Sequence, residues 1–273
     1  MIIVGENLQD IINNYSNKQP IIVIDSGLGG ISIGKEIYAK LDKEDIICIS
    51  DIKNVSYGNK SKREILKLIN NLIKVINNFN PKAIVIGCNT IDAIGGEKIA
   101  DEFHQIPVYQ IIGLSSKTAI KETLNKKIAV FATNATIEEQ SYMYRLVGHL
   151  PDLEVYGICC DELATLIEKG DFKNKMIDEE IKIGLDLDFD TLILGCTHYH
   201  LINHKFKKYY PDVNIIDSST VLVDHVVKQI PVLNNGKENV EGSFMVLSSD
   251  TSDDTINRID QVLEDIDYTI NKF

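Results

Sequence analysis

The chain predicts an α/β fold of two similar, pseudo-symmetric parallel-sheet lobes with the active site in the cleft between them. Three observations carry this. Short Ile/Val-rich runs alternate with longer segments of helical period along the 273 residues. The runs are apolar on successive rather than alternate residues, the pattern of parallel strands covered on both faces. One motif also occurs twice: "AIVIGCNTIDAI" (83–94) and "TLILGCTHYHLI" (191–202) each lead an apolar run into Gly-Cys, then small polar residues, then a helix-like stretch.

In chain order the runs fall at 21–25, 45–49, 83–87, 107–111, 127–131, 153–157, 191–194, 213–216 and 244–248. Between them, 61–78, 137–150 and 174–186 place apolar residues three and four apart, which predicts amphipathic crossover helices. After the loop "NNGKENVEG" (234–242), a last run and a helix over 252–267 return to complete the first sheet. A boundary near "IIGLSS" (111–116) divides the chain into a first lobe of 21–112 plus 222–273, carrying Cys88, and a second of 113–221, carrying Cys196. Residues 1–20 precede both as an N-terminal extension. Its Ile11, Ile12 and Tyr15 share one helical face, suited to docking on a lobe or on a second subunit as in a homodimer.

Composition narrows the class. With 28 Lys and Arg against 40 Asp and Glu, the formal charge is −12. Such a field repels nucleic acids and anionic membranes, and no basic cluster offsets it. The first twenty residues lack the basic and apolar regions of a secretion signal, and no run nears the roughly 18 apolar residues of a membrane span. A cytoplasmic location is expected. Five cysteines at irregular spacing, in a chain large enough to bury a core, predict reduced thiols.

In open parallel sheets ligands bind beyond the carboxyl ends of the strands, where Cys88 and Cys196 both fall. Two lobes facing one cleft would therefore bring two thiols together across a ligand. That pair suits removal of a proton from one face of a carbon and its return on the other, a thiolate acting as base and a thiol as acid. A free thiol near pKa 8.5 is only a few per cent ionised at neutral pH, so neighbours must assist. His198, two residues beyond Cys196, and Asp25, at the end of another strand, are placed to do so.

Other features receive plainer readings. A lone Cys after an apolar run is usually core, which is how Cys48 reads; two in matching context with polar flanks are not. Adjacent Cys159 and Cys160 read as packing residues. Asp25 also suits a helix N-cap. "DSGLGG" resembles a phosphate-binding turn, yet the dinucleotide fingerprint is incomplete and no Walker lysine follows. The same turn offers N–H groups to a carboxylate. Cys196, His198, His200 and His204 invite a metal reading, but no ligand set is completed, and His200 and His204 read as solvated helix residues. No metal is expected.

The motifs "VIDSGLGG" (23–30), "DIKNVSYG" (51–58), "GCNTIDA" (87–93), "ATNAT" (132–136) and "GCTHY" (195–199) occur in the order found in the cofactor-independent glutamate racemases, which the chain resembles from about residue 21 onward. The resemblance implies two α/β lobes and interconversion of L- and D-glutamate by two bases, Cys88 and Cys196. It assigns Asp25, His198 and, within "LATLIEKG", Glu168 to catalysis. Ser26, Tyr57, Gly58, Asn89, Thr90, Thr133, Thr136 and Thr197 would hold the substrate. It further implies no cofactor and a role in supplying D-glutamate for peptidoglycan. Ser56 stands where that family usually has proline, and His200 replaces the proline after "CTHY".

A substrate Cα held between both sulfurs at near-attack distance requires a separation of about 7 Å. Without a cofactor, fixed N–H and hydroxyl donors must stabilise the carbanion. A racemase for aspartate or another amino acid fits the same pattern. A non-catalytic amino-acid-binding regulator would share the cleft but needs no paired thiols.

Overall fold

The computed structural model describes residues 3–4, 8–15, 18–233 and 242–273. The chain begins with β1 (Ile3–Val4), α1 (Leu8–Tyr15), β2 (Ile21–Asp25), α2 (Leu28–Lys40) and β3 (Ile46–Ser50). There follow α3 (Lys62–Ile76), β4 (Ala83–Ile86), α4 (Asn89–Glu102) and β5 (Val108–Gln110). Next come α5 (Ile111–Glu122), β6 (Lys127–Ala132), α6 (Asn134–Glu138), α7 (Ser141–His149), β7 (Glu154–Cys159) and α8 (Asp161–Glu168). They lead to α9 (Lys175–Lys182), β8 (Thr191–Gly195), α10 (Asn203–Tyr209) and β9 (Asn214–Asp217). The chain closes with α11 (Ser218–Leu233), β10 (Phe244–Ser248), α12 (Asp253–Leu263) and β11 (Thr269–Lys272).

Two parallel sheets result. The first has the order β1-β11-β10-β3-β2-β4-β5 and the second β7-β6-β8-β9. The late return is real: β10 pairs with β3 in the register Phe244 to Ile46. Each sheet is buried on both sides, and this is why its strands read as unbroken apolar runs. Along β2, Ile21 and Val23 face one cluster while Ile22 and Ile24 face another with Ile11, Ile65 and Ile69. Burying each such side chain contributes about 1.5–3 kcal/mol. The cluster on the inner side of β2 also takes in Ile128, Val130 and Ile193 of the second sheet, so α2, α5 and α11 form a layer of core common to both sheets. The outer face of the second sheet closes separately over Phe131, Tyr199 and Phe206.

The structure departs from the sequence reading in several places. The expected helix over 137–150 is two helices, broken where Gln140 takes a left-handed conformation at φ 55°. The last helix stops at Leu263, and β11 follows it. Of the two places expected for the face formed by Ile11 and Tyr15, a lobe or a second subunit, it takes the first: it packs on the first sheet of its own chain, and Tyr15 Oη lies 2.7 Å from Ser243 Oγ. Most of the loop over 234–242 lies outside the described residues. The helix over 61–78 is present as α3, opened by a reciprocal Ser61–Glu64 cap. No helix among the described residues is long and apolar enough to cross a membrane.

Candidate active site

Cys88 caps the start of α4 two residues past β4, and Cys196 directly follows β8 and precedes a 3-10 turn, Thr197–Ile202. The strands place both at the carboxyl edges of their sheets. Their surroundings meet: Thr197, next to Cys196, donates to Asp25 Oδ2, and Ser26, next to Asp25, lies against Cys88. Both are nearly sealed, at 6% and 8% exposure. None of the five cysteines is in a disulfide. Cys48 lies in the core against Gly30 and Gly34, and Cys160 is buried beside Glu180.

Each sulfur has its own polar relay. His198 Nδ1 lies 3.6 Å from Cys196 Sγ, and its Nε2 lies 2.5 Å from Glu168 Oε2. Burial pulls the imidazole down, but its hydrogen bonds to Cys196 and Glu168 prevail and hold it well above its ordinary 6.5. A doubly protonated ring can donate at both ends. Around Cys88 the chain of contacts is longer. Ser26 Oγ lies 3.6 Å from Cys88 Sγ and donates to Asp25 Oδ1 at 3.3 Å. Asp25 is fully buried and also accepts from Gly27 N at 3.0 Å and Thr197 Oγ1 at 3.0 Å. Burial pushes its carboxyl up, with His198, Gly27 and Thr197 opposing. Burial, and then the charge of Asp25, push the Cys88 thiol up.

The remaining expected residues gather here too, though not all present a free group. Hydroxyls of Thr90, Thr133 and Thr136 form a triangle with edges of 3.0, 3.1 and 3.2 Å. Asn89 is buried beside Cys88, its Oδ1 accepting from Tyr142 Oη at 2.6 Å. Tyr57 spends its hydroxyl on Asp51 Oδ2 at 2.7 Å, so its side chain fixes the 51–58 loop. Gly58 N donates to Ser56 Oγ at 3.2 Å, the serine capping the turn from the position of the missing proline.

The glycines of "DSGLGG" serve close approach between lobes rather than phosphate. A Cβ on Gly29 would sit 2.2 Å from Thr197 Oγ1, and one on Gly27 would sit 2.6 Å from Glu168 Oε2. The carboxylate at the N-terminus of α2 is the protein's own: Leu28 N donates to Glu168 Oε2 at 3.1 Å. Arg258, from α12, holds the same residue from behind, donating to Glu168 O at 3.0 Å. Cavities of about 390 Å³ and 350 Å³ flank Glu168, and neither is lined by Cys88 or Cys196.

His200 is not the solvated residue expected. It lies on the 3-10 turn and bridges Asp217 at 2.6 Å to Glu36 at 3.1 Å, tying the end of β9 to α2. These two carboxylates, Asp217 first, push its imidazole up to about 10. A folded pKa raised from 6.5 gives stability that is complete below about 6.5 and lost as pH rises through about 10. His200→Ala is therefore expected to lower the thermal midpoint at pH 6.5, with the difference from wild type shrinking at pH 8.5 and vanishing at pH 10.5. An equal loss at all three values would contradict the bridge. His204 is exposed. Among the described residues, no group of three or more His, Cys, Asp or Glu is arranged to hold a metal ion.

Asp51, Tyr142 and Arg258 were not singled out from sequence. Asp51 stood inside a quoted motif; Tyr142 and Arg258 reach the site from helices with no sequence marker of it.

Comparison with known proteins shows the family. Residues 44–226 match the Asp/Glu/hydantoin racemase family. Glutamate racemase from Sulfurihydrogenibium sp. (strain YO3AOP1) is 38% identical over 227 residues, covering 81% of this chain and 84% of that protein. The crystal structure of glutamate racemase from Francisella tularensis in complex with D-glutamate superposes with a TM-score of 0.85 at 30% identity, over 94% of this chain and 97% of that one. Isoform RacE1 of the Bacillus anthracis enzyme gives 0.85 at 28% identity, over 93% and 97%. Allantoin racemase from Klebsiella pneumoniae, at 17% identity and a TM-score of 0.57 over 82% and 96%, shares the fold alone.

Proposed function

This chain belongs to the Asp/Glu/hydantoin racemase family, among its glutamate racemases, and we propose that it interconverts L- and D-glutamate by passing the Cα proton between Cys88 and Cys196. One observation carries the reading: Cys88 and Cys196 stand at the carboxyl edges of separate sheets, each with its own proton relay, and the two relays meet where Thr197 Oγ1 donates to Asp25 Oδ2.

The reaction needs one sulfur charged and the other protonated. Burial and Asp25 favour the protonated form of Cys88, and imidazolium at His198 can donate to Cys196 when that sulfur carries the charge. From this state Cys196 takes the Cα proton of one enantiomer; the electron pair of the C–H bond passes to the carbanion, and Cys88 returns a proton on the opposite face. The protonation states have then exchanged, which readies the site for the other enantiomer. His198 with Glu168, and Ser26 with Asp25, reset them by proton exchange. Hydroxyls of Thr90, Thr133, Thr136 and Thr197, the Asn89 amide and backbone N–H groups around Ser26 and Gly58 bind the substrate and stabilise the charge on its carboxylate. In the closed arrangement the hydroxyls of Thr90, Thr133 and Thr136 satisfy one another and Thr197 donates to Asp25, so the lobes must part to admit a substrate.

The finer readings are part of the same proposal. The lobes divide near residues 113 and 222, so that the returning strands complete the first. The enzyme works in the cytoplasm, where its thiols stay reduced, and supplies D-glutamate for peptidoglycan. The test is incubation of purified protein with L-glutamate, D-glutamate and L-aspartate in deuterated water without added cofactor. Either glutamate enantiomer is expected to lose its circular dichroism and to gain deuterium at Cα. Exchange with aspartate alone would assign the other substrate, and none with any would indicate a binding protein.

A further inference from the structure

Asn89 is an amide pinned at one end. It opens α4 immediately after Cys88 and is almost wholly buried. Its Oδ1 accepts from Tyr142 Oη at 2.6 Å, while its Nδ2, equally buried, has no hydrogen-bond partner among the described residues. A buried amide nitrogen left without an acceptor is costly, and such groups concentrate where a ligand supplies the missing atom.

The orientation follows from the neighbours of Tyr142. Ser115 Oγ lies 3.2 Å from Tyr142 Oη, but it gives its own hydrogen to Ile111 O at 2.7 Å. Ser218, a second hydrogen-bonding neighbour of the phenol, gives its hydrogen to Leu194 O at 2.6 Å. Neither serine offers a hydrogen to the phenol. The phenol keeps one of its own, and its shortest contact is Asn89 Oδ1. A separation of 2.6 Å suits O–H to carbonyl oxygen and is short for N–H to oxygen, which centres on about 2.9–3.0 Å. Burial pushes the phenol up, so it remains a donor.

Tyr142 also stands at the other sulfur. Its ring lies 3.2 Å from where a Cβ on Gly195 would be, one residue before Cys196. The hydrogen bond from Tyr142 to Asn89 therefore joins the lobe of one cysteine to the lobe of the other.

We propose that Tyr142 is a positioning residue: by holding the Asn89 carbonyl it leaves Nδ2 as the donor that meets the carboxylate of the amino acid between Cys88 and Cys196. This rests on the racemase reading above. As the Cα proton leaves, negative charge spreads onto that carboxylate, and an N–H donor stabilises it. The flipped amide would set an oxygen against it.

Tyr142→Phe keeps the ring and its packing against Gly195 and removes only the hydroxyl. It is expected to lower kcat/KM for glutamate about tenfold or more, with KM rising and the thermal midpoint little changed. The decisive arm is a double-mutant cycle with Asn89→Ala. Where Asn89 is absent, Tyr142→Phe is expected to cost nothing further, an outcome that a packing role for Tyr142 does not produce. If turnover by Asn89→Ala is too slow to measure, the same cycle is read from D-glutamate affinity by calorimetry. Unchanged kcat/KM in Tyr142→Phe, or an equal loss with and without Asn89, overturns this inference while wild-type racemisation stands. Absence of racemisation by the wild-type protein overturns the functional reading and takes this inference with it.

Discussion

Cys88→Ala and Cys196→Ala are each expected to reduce glutamate racemisation by at least about 10³-fold, the upper range of what a positioned acid or base supplies. Neither sulfur can substitute for the other, because each serves a different face of the carbon and they stand on separate sheets. The polar relays differ as well: Cys196 meets His198 directly, whereas Cys88 reaches Asp25 through Ser26. Cys48→Ala is the control. Its sulfur is wholly buried against Gly30 and Gly34, and its loss is expected to cost about 1 kcal/mol of stability through a small cavity and leave turnover unchanged. Turnover measured by circular dichroism with all three variants, at enzyme concentrations that expose slow rates, separates these outcomes.

Glu168→Gln is expected to produce the second largest loss, about 10²-fold in kcat/KM near neutral pH. Glu168 Oε2 accepts from both His198 Nε2 and Leu28 N, so one oxygen orients the imidazole and closes the lobe contact. Glutamine preserves the shape but removes the charge that helps keep His198 protonated. The sign follows. With the carboxylate gone, the His198 pKa falls, the imidazolium is lost at lower pH, and the alkaline limb of the kcat/KM profile moves down. A variant whose rate falls with no shift of that limb would reduce Glu168 to a structural contact. Arg258, which holds the Glu168 backbone carbonyl, can be expected to share in the effect only through that residue.

The centres of the sheets were legible because β2, β3, β4, β8 and β10 are buried along their whole length, so composition and position spoke together. The partly exposed β5, β7 and β9 still read as apolar runs, whereas β11 did not. The sequence over 269–272, "TINK", is short and mostly polar, and it reads as a tail although it pairs with β10. The break at Gln140 was hidden because apolar spacing runs on through both α6 and α7 without a Gly or Pro to mark it. In the site, Cys88 and Cys196 could be found from residues alone, since small polar neighbours after an apolar run do not suit a core. His198 followed from its spacing. Glu168 came only through resemblance, because an acidic residue near a helix end looks like any solvated one until the fold buries it against Leu28. Tyr142 could not be found at all: it acts through Asn89, 53 residues away, and that contact exists only once the two lobes face each other. His200 misled for a similar reason, since both its carboxylate partners come from elsewhere in the chain.

Stereochemistry of proton exchange tests the two-sulfur account most directly. In deuterated water, Cys88→Ala and Cys196→Ala are each expected to exchange the Cα hydrogen of one glutamate enantiomer only, opposite enantiomers for the two variants, and to invert neither. Followed by proton NMR on each enantiomer separately, exchange of both by a single variant, or continued racemisation after loss of either thiol, would contradict it.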